Sequence, residues 1–165
     1  MHQSIKNDDA KLAGKSIMIM AGGTGGHIFP ALAVARDLGD KGASIRWLGT
    51  RYGLEKKLVE GLFPIDYLMA RGLRRRGVWP KIKFPFQLMT TIIQALWLFK
   101  KHKTRLVVGF GGYASGPGAL AAKLMGMPVI IHEQNAQAGM TNRMLAKIAK
   151  EVLVAFPTRS FDRNR

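Results

Sequence analysis

The residues of this chain that could do chemistry begin with a glycine-rich turn and a histidine, at Ala21 to His27. The segment reads Ala-Gly-Gly-Thr-Gly-Gly-His, with four glycines within five positions. Glycine lets a backbone approach a ligand closely, and a helix that starts after the turn offers free N–H groups to an anion. The alternative is a tight turn that needs glycine only for its dihedral angles. Because the glycines outnumber what a turn needs, the pattern favours contact with a phosphate or pyrophosphate.

Two further segments follow apolar runs later in the chain. Gly109 to Gly118 reads Gly-Phe-Gly-Gly-Tyr-Ala-Ser-Gly-Pro-Gly and opens a predicted helix. His132, Glu133, Gln134 and Asn135 come directly after the apolar run Pro-Val-Ile-Ile. His132 and Glu133 could orient a substrate hydroxyl, although a glutamate placed there more commonly accepts backbone N–H bonds. Two glycine loops beside a polar tetrad predict a site.

His27 could act as a neutral base. It stands where a helix is predicted to begin, and the positive end of the helix dipole disfavours an imidazolium there. A structural histidine bonded to a nearby carbonyl is an equally weighted alternative. No metal site is predicted, because His2 and His102 lie in a tail and a basic helix end and no carboxylate cluster appears. No cofactor is expected, and assistance by Mg²⁺ has no protein ligands to support it.

Familiar nucleotide-binding motifs are missing. The dinucleotide fingerprint G-x-G-x-x-G needs a third glycine where Ile28 stands, and an acid after the second strand, which ends in Gly49 and Thr50. The phosphate-binding motif G-x-x-x-x-G-K-[ST] does not occur either. An NAD(P)-binding domain and a P-loop nucleotidase are therefore disfavoured.

Composition narrows the class of protein further. A chain of 165 residues with 47% hydrophobic residues and 19 glycines is typical of one globular α/β domain. The net charge of +16 predicts an anionic partner. The chain has no cysteine, which excludes disulfides and thiolate metal sites. Residues 1–15 lack the apolar stretch of a secretory signal, so we expect a flexible tail on a cytoplasmic protein.

Short apolar runs alternate with helical patterns to the end of the chain. The predicted strands are Ser16–Met20, Ala43–Leu48, Ile65–Met69, Arg105–Gly109, Pro128–Ile131 and Glu151–Ala155. The predicted helices are Ile28–Leu38, Gly53–Glu60, Phe84–Phe99, Ser115–Gly126 and Gly139–Lys150. This alternation predicts a Rossmann-like parallel sheet with helices on both faces. Ligands of such sheets lie at the carboxyl ends of the strands.

The middle of the chain is both basic and apolar. Between Tyr67 and His132 there is no acidic residue, and Phe84 to Phe99 carries no charge. A core helix with basic ends is one interpretation; apolar residues surrounded by cations also favour docking on an anionic membrane surface. The membrane-contact candidates are Arg74, Arg75, Arg76, Val78, Trp79, Lys81, Ile82, Lys83 and Phe86. Nucleic acid is disfavoured as the partner, because no recognition motif appears and the glycine loops would be unexplained.

Five segments together resemble the MurG family, bacterial glycosyltransferases that complete the lipid-linked precursor of peptidoglycan. They are Ala21–His27, Trp47–Thr50, Gly72–Arg74, Gly111–Gly118 and Ile131–Asn135. The resemblance covers about residues 16–157 and implies the amino-terminal half of a GT-B fold, in which two Rossmann-like domains face a cleft. It implies inverting transfer of N-acetylglucosamine from UDP-N-acetylglucosamine to the C4 hydroxyl of undecaprenyl-pyrophosphoryl-N-acetylmuramyl-pentapeptide. It also implies a peripheral location at the cytoplasmic face of the bacterial inner membrane.

The resemblance assigns roles to residues of this chain. His27 would be the base that activates the acceptor hydroxyl. The acceptor pyrophosphate would contact Gly22, Gly23, Gly25, Gly26, Gly111, Gly112, Tyr113 and Ser115. The donor sugar nucleotide would contact Thr24, Gly25, Gly26 and Asn135. His132, Glu133 and Gln134 stay further site candidates.

Length is where the chain departs from the family, whose members are about twice as long. We expect an acceptor- and membrane-binding domain at 16–157, an unassigned tail at 158–165 and no carboxy-terminal donor domain. Such a domain should bind acceptor and membrane with little or no turnover. The alternative is a non-catalytic, membrane-docked subunit that recruits a separate donor-binding chain.

Overall fold

Six parallel strands form the centre of the computed structural model, which describes residues 12–51, 53–69 and 78–161 and the side chains of the last range from residue 84 onward. The strands are β1 (Ser16–Ala21), β2 (Ser44–Thr50), β3 (Ile65–Leu68), β4 (Leu106–Gly111), β5 (Val129–Glu133) and β6 (Glu151–Val154). Their order in the sheet is β3-β2-β1-β4-β5-β6, and every pair of neighbours is parallel. The predicted parallel sheet is confirmed.

Five helices connect the strands in the described part of the chain. They are α1 (Gly25–Asp40), α2 (Glu55–Leu58), α3 (Val78–Lys101), α4 (Ser115–Leu124) and α5 (Met140–Leu145). The buried positions of α1 include Ile28, Ala31 and Ala35, which recur at helical spacing and pack against one face of the sheet. Residues of α3 and α4, among them Phe99 and Ala122, belong to the cluster on the other face. Helices therefore cover both faces, as predicted.

The strand order reverses direction between β1 and β4. The chain adds β2 and β3 on one side of β1, then returns to place β4, β5 and β6 on the other side. At such a reversal the connecting loops diverge and leave a crevice at the carboxyl ends of the strands. The register between β1 and β4 also shifts between Met20 and Ala21 at this end, where the first glycine loop begins.

Several helix limits differ from the sequence predictions. The helix predicted at Phe84–Phe99 extends over Val78–Lys101, so the basic and apolar residues before Phe84 lie within it. The helix predicted at Gly53–Glu60 is a single turn, and Gly61 has a left-handed φ of 88° just after it. The last predicted helix ends early, at Leu145. Apolar periodicity locates helices well and their ends poorly, because ends depend on tertiary contacts.

Two polar side chains of α3, those of Thr91 and Gln94, face the protein. Gln94 accepts a hydrogen bond from Met69 N at 3.1 Å and donates one to the Tyr67 carbonyl at 3.0 Å, which joins α3 to the end of β3. Thr91 is 2% exposed and bonds to backbone carbonyls of its own helix. The outer face of α3 is mainly apolar, although Thr90 is also exposed. Phe86, Met89, Ile93 and Trp97 are exposed there, by 76%, 58%, 57% and 59%.

Candidate functional site

Three neighbouring strands bring the predicted loops together. β1, β4 and β5 are adjacent and parallel, so their carboxyl ends, at Ala21, Gly111 and Glu133, lie at one edge of the sheet. The first glycine loop leaves β1, the second leaves β4 and the polar tetrad leaves β5. The strand order therefore confirms that these segments share one edge of the sheet.

The two glycine loops are packed against each other. Gly112 has a φ of 85°, and a Cβ at this position would collide with the carbonyl oxygen of Gly22. Gly111 has a φ of 107°, and a Cβ there would lie 2.9 Å from His27 Nε2. Both positions thus combine a backbone conformation that favours glycine with a lack of space for a side chain. Glycine at 111 and 112 is required by the contact between the loops.

His27 is held by its Nδ1 atom. Its ring lies in the first turn of α1, with Nδ1 3.2 Å from the Gly22 carbonyl oxygen and 3.3 Å from Thr24 Oγ1. A carbonyl oxygen can only accept, so Nδ1 carries the hydrogen and Nε2 of the neutral ring has a free lone pair. The carbonyl bond of the structural alternative is present, and it leaves Nε2, directed over Gly111, as a proton acceptor.

The first glycine loop opens into α1 with backbone donors. Helix α1 begins at Gly25, and the first N–H groups of a helix have no acceptor within the helix. Gly23 has a φ of 88° and open space where a side chain would be. Thr24 is exposed at the start of the helix. These donors suit an anionic or hydroxyl-rich ligand.

Ser115 lies beneath the second glycine loop. It is 0% exposed, and its Oγ accepts a hydrogen bond from Gly111 N at 3.2 Å. The same Oγ lies 2.9 Å from the Met20 carbonyl and 2.8 Å from the Gly111 carbonyl. The Ser115 side chain therefore ties β1 to the second loop and faces the core. Tyr113 is 46% exposed at the surface of that loop.

Glu133 is buried at the end of β5 and fully bonded. Its Oε1 accepts from Asn135 N at 3.0 Å and Asn135 Nδ2 at 2.9 Å. Its Oε2 accepts from Gly139 N at 3.1 Å and Asn142 Nδ2 at 2.9 Å. Burial raises the pKa of this carboxyl, but the four hydrogen bonds outweigh burial and hold the pKa below its ordinary value. The structure thus matches the alternative in which Glu133 accepts backbone N–H bonds, here from Asn135 and Gly139, and two side-chain amides add to them.

The rest of the polar tetrad has mixed surroundings. His132 belongs to β5, so it is not in a loop as predicted, and its ring centroid lies 5.0 Å from that of Phe110. His132 Nδ1 and both amide atoms of Gln134 are buried without a hydrogen-bond partner among the described residues. Asn135 is exposed beyond the strand end. Asn135 is thus the one residue of the tetrad that is exposed to solvent.

Asn142 and Glu55 are site residues that the sequence interpretation missed. Asn142 is 1% exposed; its Oδ1 has no partner in the described structure and would lie 3.6 Å from a Cβ at Gly111. Glu55 is 0% exposed and lies against Gly22 of the first glycine loop. An acid shortly after the Gly-Thr end of β2 was the available signal for Glu55. Asn142 gave none, because it lies inside a predicted helix.

Neither a metal site nor a membrane-spanning helix is present among the described residues. Within residues 12–51, 53–69 and 78–161, no three histidine or acidic side chains converge on a point that could hold a metal ion. None of the helices in the same ranges combines the length and hydropathy needed to cross a membrane.

Of the predicted membrane contacts, Arg74, Arg75 and Arg76 fall outside the described residues. Phe86 is described and exposed; for Val78, Trp79, Lys81, Ile82 and Lys83 the backbone alone is described, and it is helical.

The parallel sheet of this order, covered by helices on both faces, matches the amino-terminal domains of GT-B-type glycosyltransferases. Solved glycosyltransferases share the fold even at low identity, such as one from Rickettsia africae with a TM-score of 0.61 at 14% identity over 86% of this chain and 36% of that one. The chain itself belongs to the glycosyltransferase family 28 N-terminal domain family, whose profile matches residues 17–154.

Other proteins have a much higher sequence identity to the chain than the Rickettsia africae glycosyltransferase has. The chain is 52% identical, over 86% of its length, to a Shewanella halifaxensis protein named UDP-N-acetylglucosamine–N-acetylmuramyl-(pentapeptide) pyrophosphoryl-undecaprenol N-acetylglucosamine transferase, of which it covers 39%. A Haemophilus ducreyi protein of the same name is 52% identical over 87% of the chain and 41% of that protein. The crystal structure of Acinetobacter baumannii MurG superposes with a TM-score of 0.80 at 46% identity, covering 92% of this chain and 44% of MurG. The chain therefore spans about two fifths of the length of these relatives.

Proposed function

We propose that this chain is the acceptor-binding and base-carrying domain of an inverting N-acetylglucosaminyltransferase of peptidoglycan synthesis. The observation that carries the proposal is the fixed imidazole of His27. Its Nδ1 is bonded to Gly22, and its Nε2 faces the space beside Gly111, between the two glycine loops. A base between two phosphate-type loops suits a substrate that carries both a hydroxyl and a pyrophosphate. The named relatives act on such a substrate.

The proposed reaction is a single displacement. The C4 hydroxyl of the acceptor N-acetylmuramyl sugar attacks the anomeric carbon of UDP-N-acetylglucosamine. A carbon–oxygen bond forms on the face opposite the leaving group, so the anomeric configuration inverts. The bond from the anomeric carbon to the phosphate oxygen breaks, and its electron pair leaves with UDP. His27 Nε2 takes the hydroxyl proton, which its lone pair allows because Nδ1 already holds the ring hydrogen.

The glycine loops would hold the two charged substrates. The N–H groups at the starts of α1 and α4 face the carboxyl edge of the sheet, where the acceptor pyrophosphate would lie. Exposed Thr24 and Asn135 stand at the outer edge of the same surface and would contact the donor across a cleft. Tyr113, half exposed, would lie beside the acceptor. Ser115 would act from beneath, by shaping the loop.

Membrane association is the second part of the proposal. The outer apolar face of α3, formed by Phe86, Met89, Ile93 and Trp97, is exposed on a chain with a net charge of +16. Lys101 continues this face, with its Nζ 4.8 Å from the centre of the Trp97 ring. Apolar side chains beside lysines suit peripheral docking on an anionic surface. The surface would be the cytoplasmic face of the bacterial inner membrane, where a lipid-linked acceptor is reached.

Calorimetric titration with a water-soluble, short-chain analogue of the lipid-linked acceptor tests the proposal. Gly25→Val adds bulk at the start of α1 inside the first glycine loop, and should abolish binding. Gly39→Val is the matched control, since it adds the same bulk at the other end of the same helix, where a Cβ would meet Ile45 Cγ1 at an ordinary 3.8 Å. Binding lost in the first variant and kept in the second supports an acceptor site on this loop. A folded chain that does not bind the analogue would overturn the assignment.

A further inference from the structure

Gly22, whose carbonyl holds the His27 ring, is enclosed on both sides. A Cβ added to Gly22 would collide with Oε1 of Glu55 and would lie 3.0 Å from its Cδ. From the other side, a Cβ at Gly112 would collide with the Gly22 carbonyl oxygen and lie 2.9 Å from its carbonyl carbon. The Gly22 peptide therefore lies between the Glu55 carboxylate and the second glycine loop, with no room to rotate freely.

Glu55 is itself fixed to the end of β2. The residue is 0% exposed, and its Oε1 accepts hydrogen bonds from Thr50 N at 2.9 Å and Thr50 Oγ1 at 3.1 Å. Its Oε2 is buried without a partner among the described residues, against Gly53, where a Cβ would collide with it. Burying a carboxylate oxygen without a partner lowers stability, because the oxygen loses its hydrogen bonds to water. A hydrophobic side chain would fill this space without that cost, so the acid needs an explanation.

We propose that Glu55 is a positioning residue for His27. Thr50 binds the Glu55 carboxylate, and the carboxylate lies in close contact with Gly22. This contact keeps the Gly22 carbonyl in place to accept the Nδ1–H of His27. The result is a ring with a single tautomer and with Nε2 directed over Gly111. The catalytic meaning of this arrangement rests on the proposed function, in which His27 is the base.

A purely structural carboxylate would behave differently. If Glu55 only joined α2 to β2, its removal would lower the free energy of unfolding and leave the His27 tautomer unchanged in the molecules that stay folded. If Glu55 positions Gly22, its removal releases the carbonyl and the ring can also adopt the Nε2–H form. The tautomer of one ring therefore separates the two roles, whereas stability does not.

The test is ¹⁵N NMR of the His27 ring in the 165-residue chain. Spectra are recorded at about pH 8.5, where an ordinary histidine is neutral. The parent chain should show the Nδ1–H tautomer. Glu55→Ala should reduce the ratio of Nδ1–H to Nε2–H by about fivefold, the change expected when a hydrogen bond of about 1 kcal/mol is lost. Glu55→Gln keeps the shape and an acceptor for Thr50, so it should keep the parent tautomer.

Val59→Ala is the matched control, because Val59 is 0% exposed just after α2 and its truncation loosens the same turn without touching the carboxylate. The proposal is overturned if Val59→Ala shifts the tautomer as much as Glu55→Ala, or if folded Glu55→Ala keeps the parent tautomer. An Nε2–H ring in the parent chain would also overturn it. Should Glu55→Ala not fold, Glu55→Asp withdraws the carboxylate by one methylene and must give the same shift. Loss of acceptor binding in the calorimetric titration leaves this readout unaffected, so the two proposals fail separately.

Discussion

At the scale of single residues, the sharpest constraint is the glycine at position 111. Its φ of 107° and the 2.9 Å from a would-be Cβ to His27 Nε2 make any side chain unfavourable. Gly111→Ala should lower the free energy of unfolding by at least about 1 kcal/mol and displace the His27 ring. Gly116→Ala is the control within the same loop and helix; nothing lies near its Cβ, so it should be neutral or stabilising by up to about 1 kcal/mol. Urea unfolding measures both, and equal effects would contradict the argument.

Glu133 should make the stability of the chain depend on pH. Its pKa is held below the ordinary value, so its bonded carboxylate contributes stability above the unfolded-state pKa of about 4.3 and loses it as the pH falls through the folded-state pKa. Glu133→Gln should cost about 2 kcal/mol at pH 7. That cost should be smaller at about pH 3, because below about 4.3 the unfolded chain takes up a proton at this residue before the folded chain does. Urea unfolding of the parent and Glu133→Gln at both pH values tests this prediction, and Glu151→Gln is the control because Glu151 is exposed. A cost of Glu133→Gln that is unchanged at low pH contradicts the prediction.

Sequence alone predicts site residues whose signal is local. Glycine runs after apolar runs identified both glycine loops, and His27 was visible because it ends the first of them. Glu55 and Asn142 make their contacts across the fold, with Gly22 and Gly111. The local sequence offered only a weak signal for Glu55, an acid soon after the Gly-Thr end of β2, and none for Asn142. Burial of a polar side chain depends on the tertiary fold, so the sequence did not predict that Glu55 and Asn142 are buried.

At the scale of elements, α3 shows how a correct helix prediction can leave its orientation open. From the sequence alone, the few polar side chains of this helix could face either water or the protein. In the structure Gln94 bonds to the end of β3 and Thr91 is buried, so the apolar stripe faces outward. Periodicity gives the two stripes of a helix. It does not say which one the fold covers when the polar side chains have partners inside.

The exposed stripe of α3 should bind membranes. Phe86→Ser with Ile93→Ser removes apolar surface from residues that are 76% and 57% exposed, so the fold should remain intact. Sedimentation with anionic vesicles should fall several-fold, since each buried methylene contributes about 0.8 kcal/mol to such binding. Leu62→Ser removes a side chain of similar exposure, 51%, next to the cluster on the opposite face of the sheet. Binding unchanged in the α3 variant, or equally reduced in the Leu62 control, would refute docking through this face.

At the scale of the whole molecule, the sheet topology places the loops of the candidate site, and the net charge determines which partners are attracted. The alternation of short apolar runs and helices predicted a parallel sheet, and right-handed crossovers reduce the possible topologies to a few. Sequence alone did not give the order β3-β2-β1-β4-β5-β6, because pairing partners lie far apart in the chain. That order is what places β4 beside β1 and brings the two glycine loops into contact. The net charge of +16 does not depend on the topology, and it favours an anionic partner.

Charge and apolar surface predict a particular salt response. If α3 docks by its apolar face and the +16 charge attracts the surface, salt should weaken vesicle binding without abolishing it. The Debye length falls from about 10 Å at 0.1 M salt to about 3 Å at 1 M. Binding to anionic vesicles should therefore drop toward the level seen with neutral vesicles as salt rises. Complete loss in high salt would indicate attraction by charge alone, and no salt effect would exclude the electrostatic contribution.

The 165-residue chain should transfer the sugar poorly, because the edge of its sheet supplies few contacts to the donor. The chain spans 39% and 41% of two named relatives, and its donor-contact candidates are Thr24, Gly25, Gly26 and Asn135. One wall of a cleft orients a sugar nucleotide poorly, and rate depends steeply on orientation. Transfer from radiolabelled UDP-N-acetylglucosamine to the soluble acceptor analogue should therefore be slow or undetectable although the acceptor binds. Any residual transfer should disappear in His27→Asn, which keeps a polar side chain but no base. Robust turnover by the chain alone would show that this sheet edge holds both substrates, and turnover that survives His27→Asn would remove His27 from the role of base.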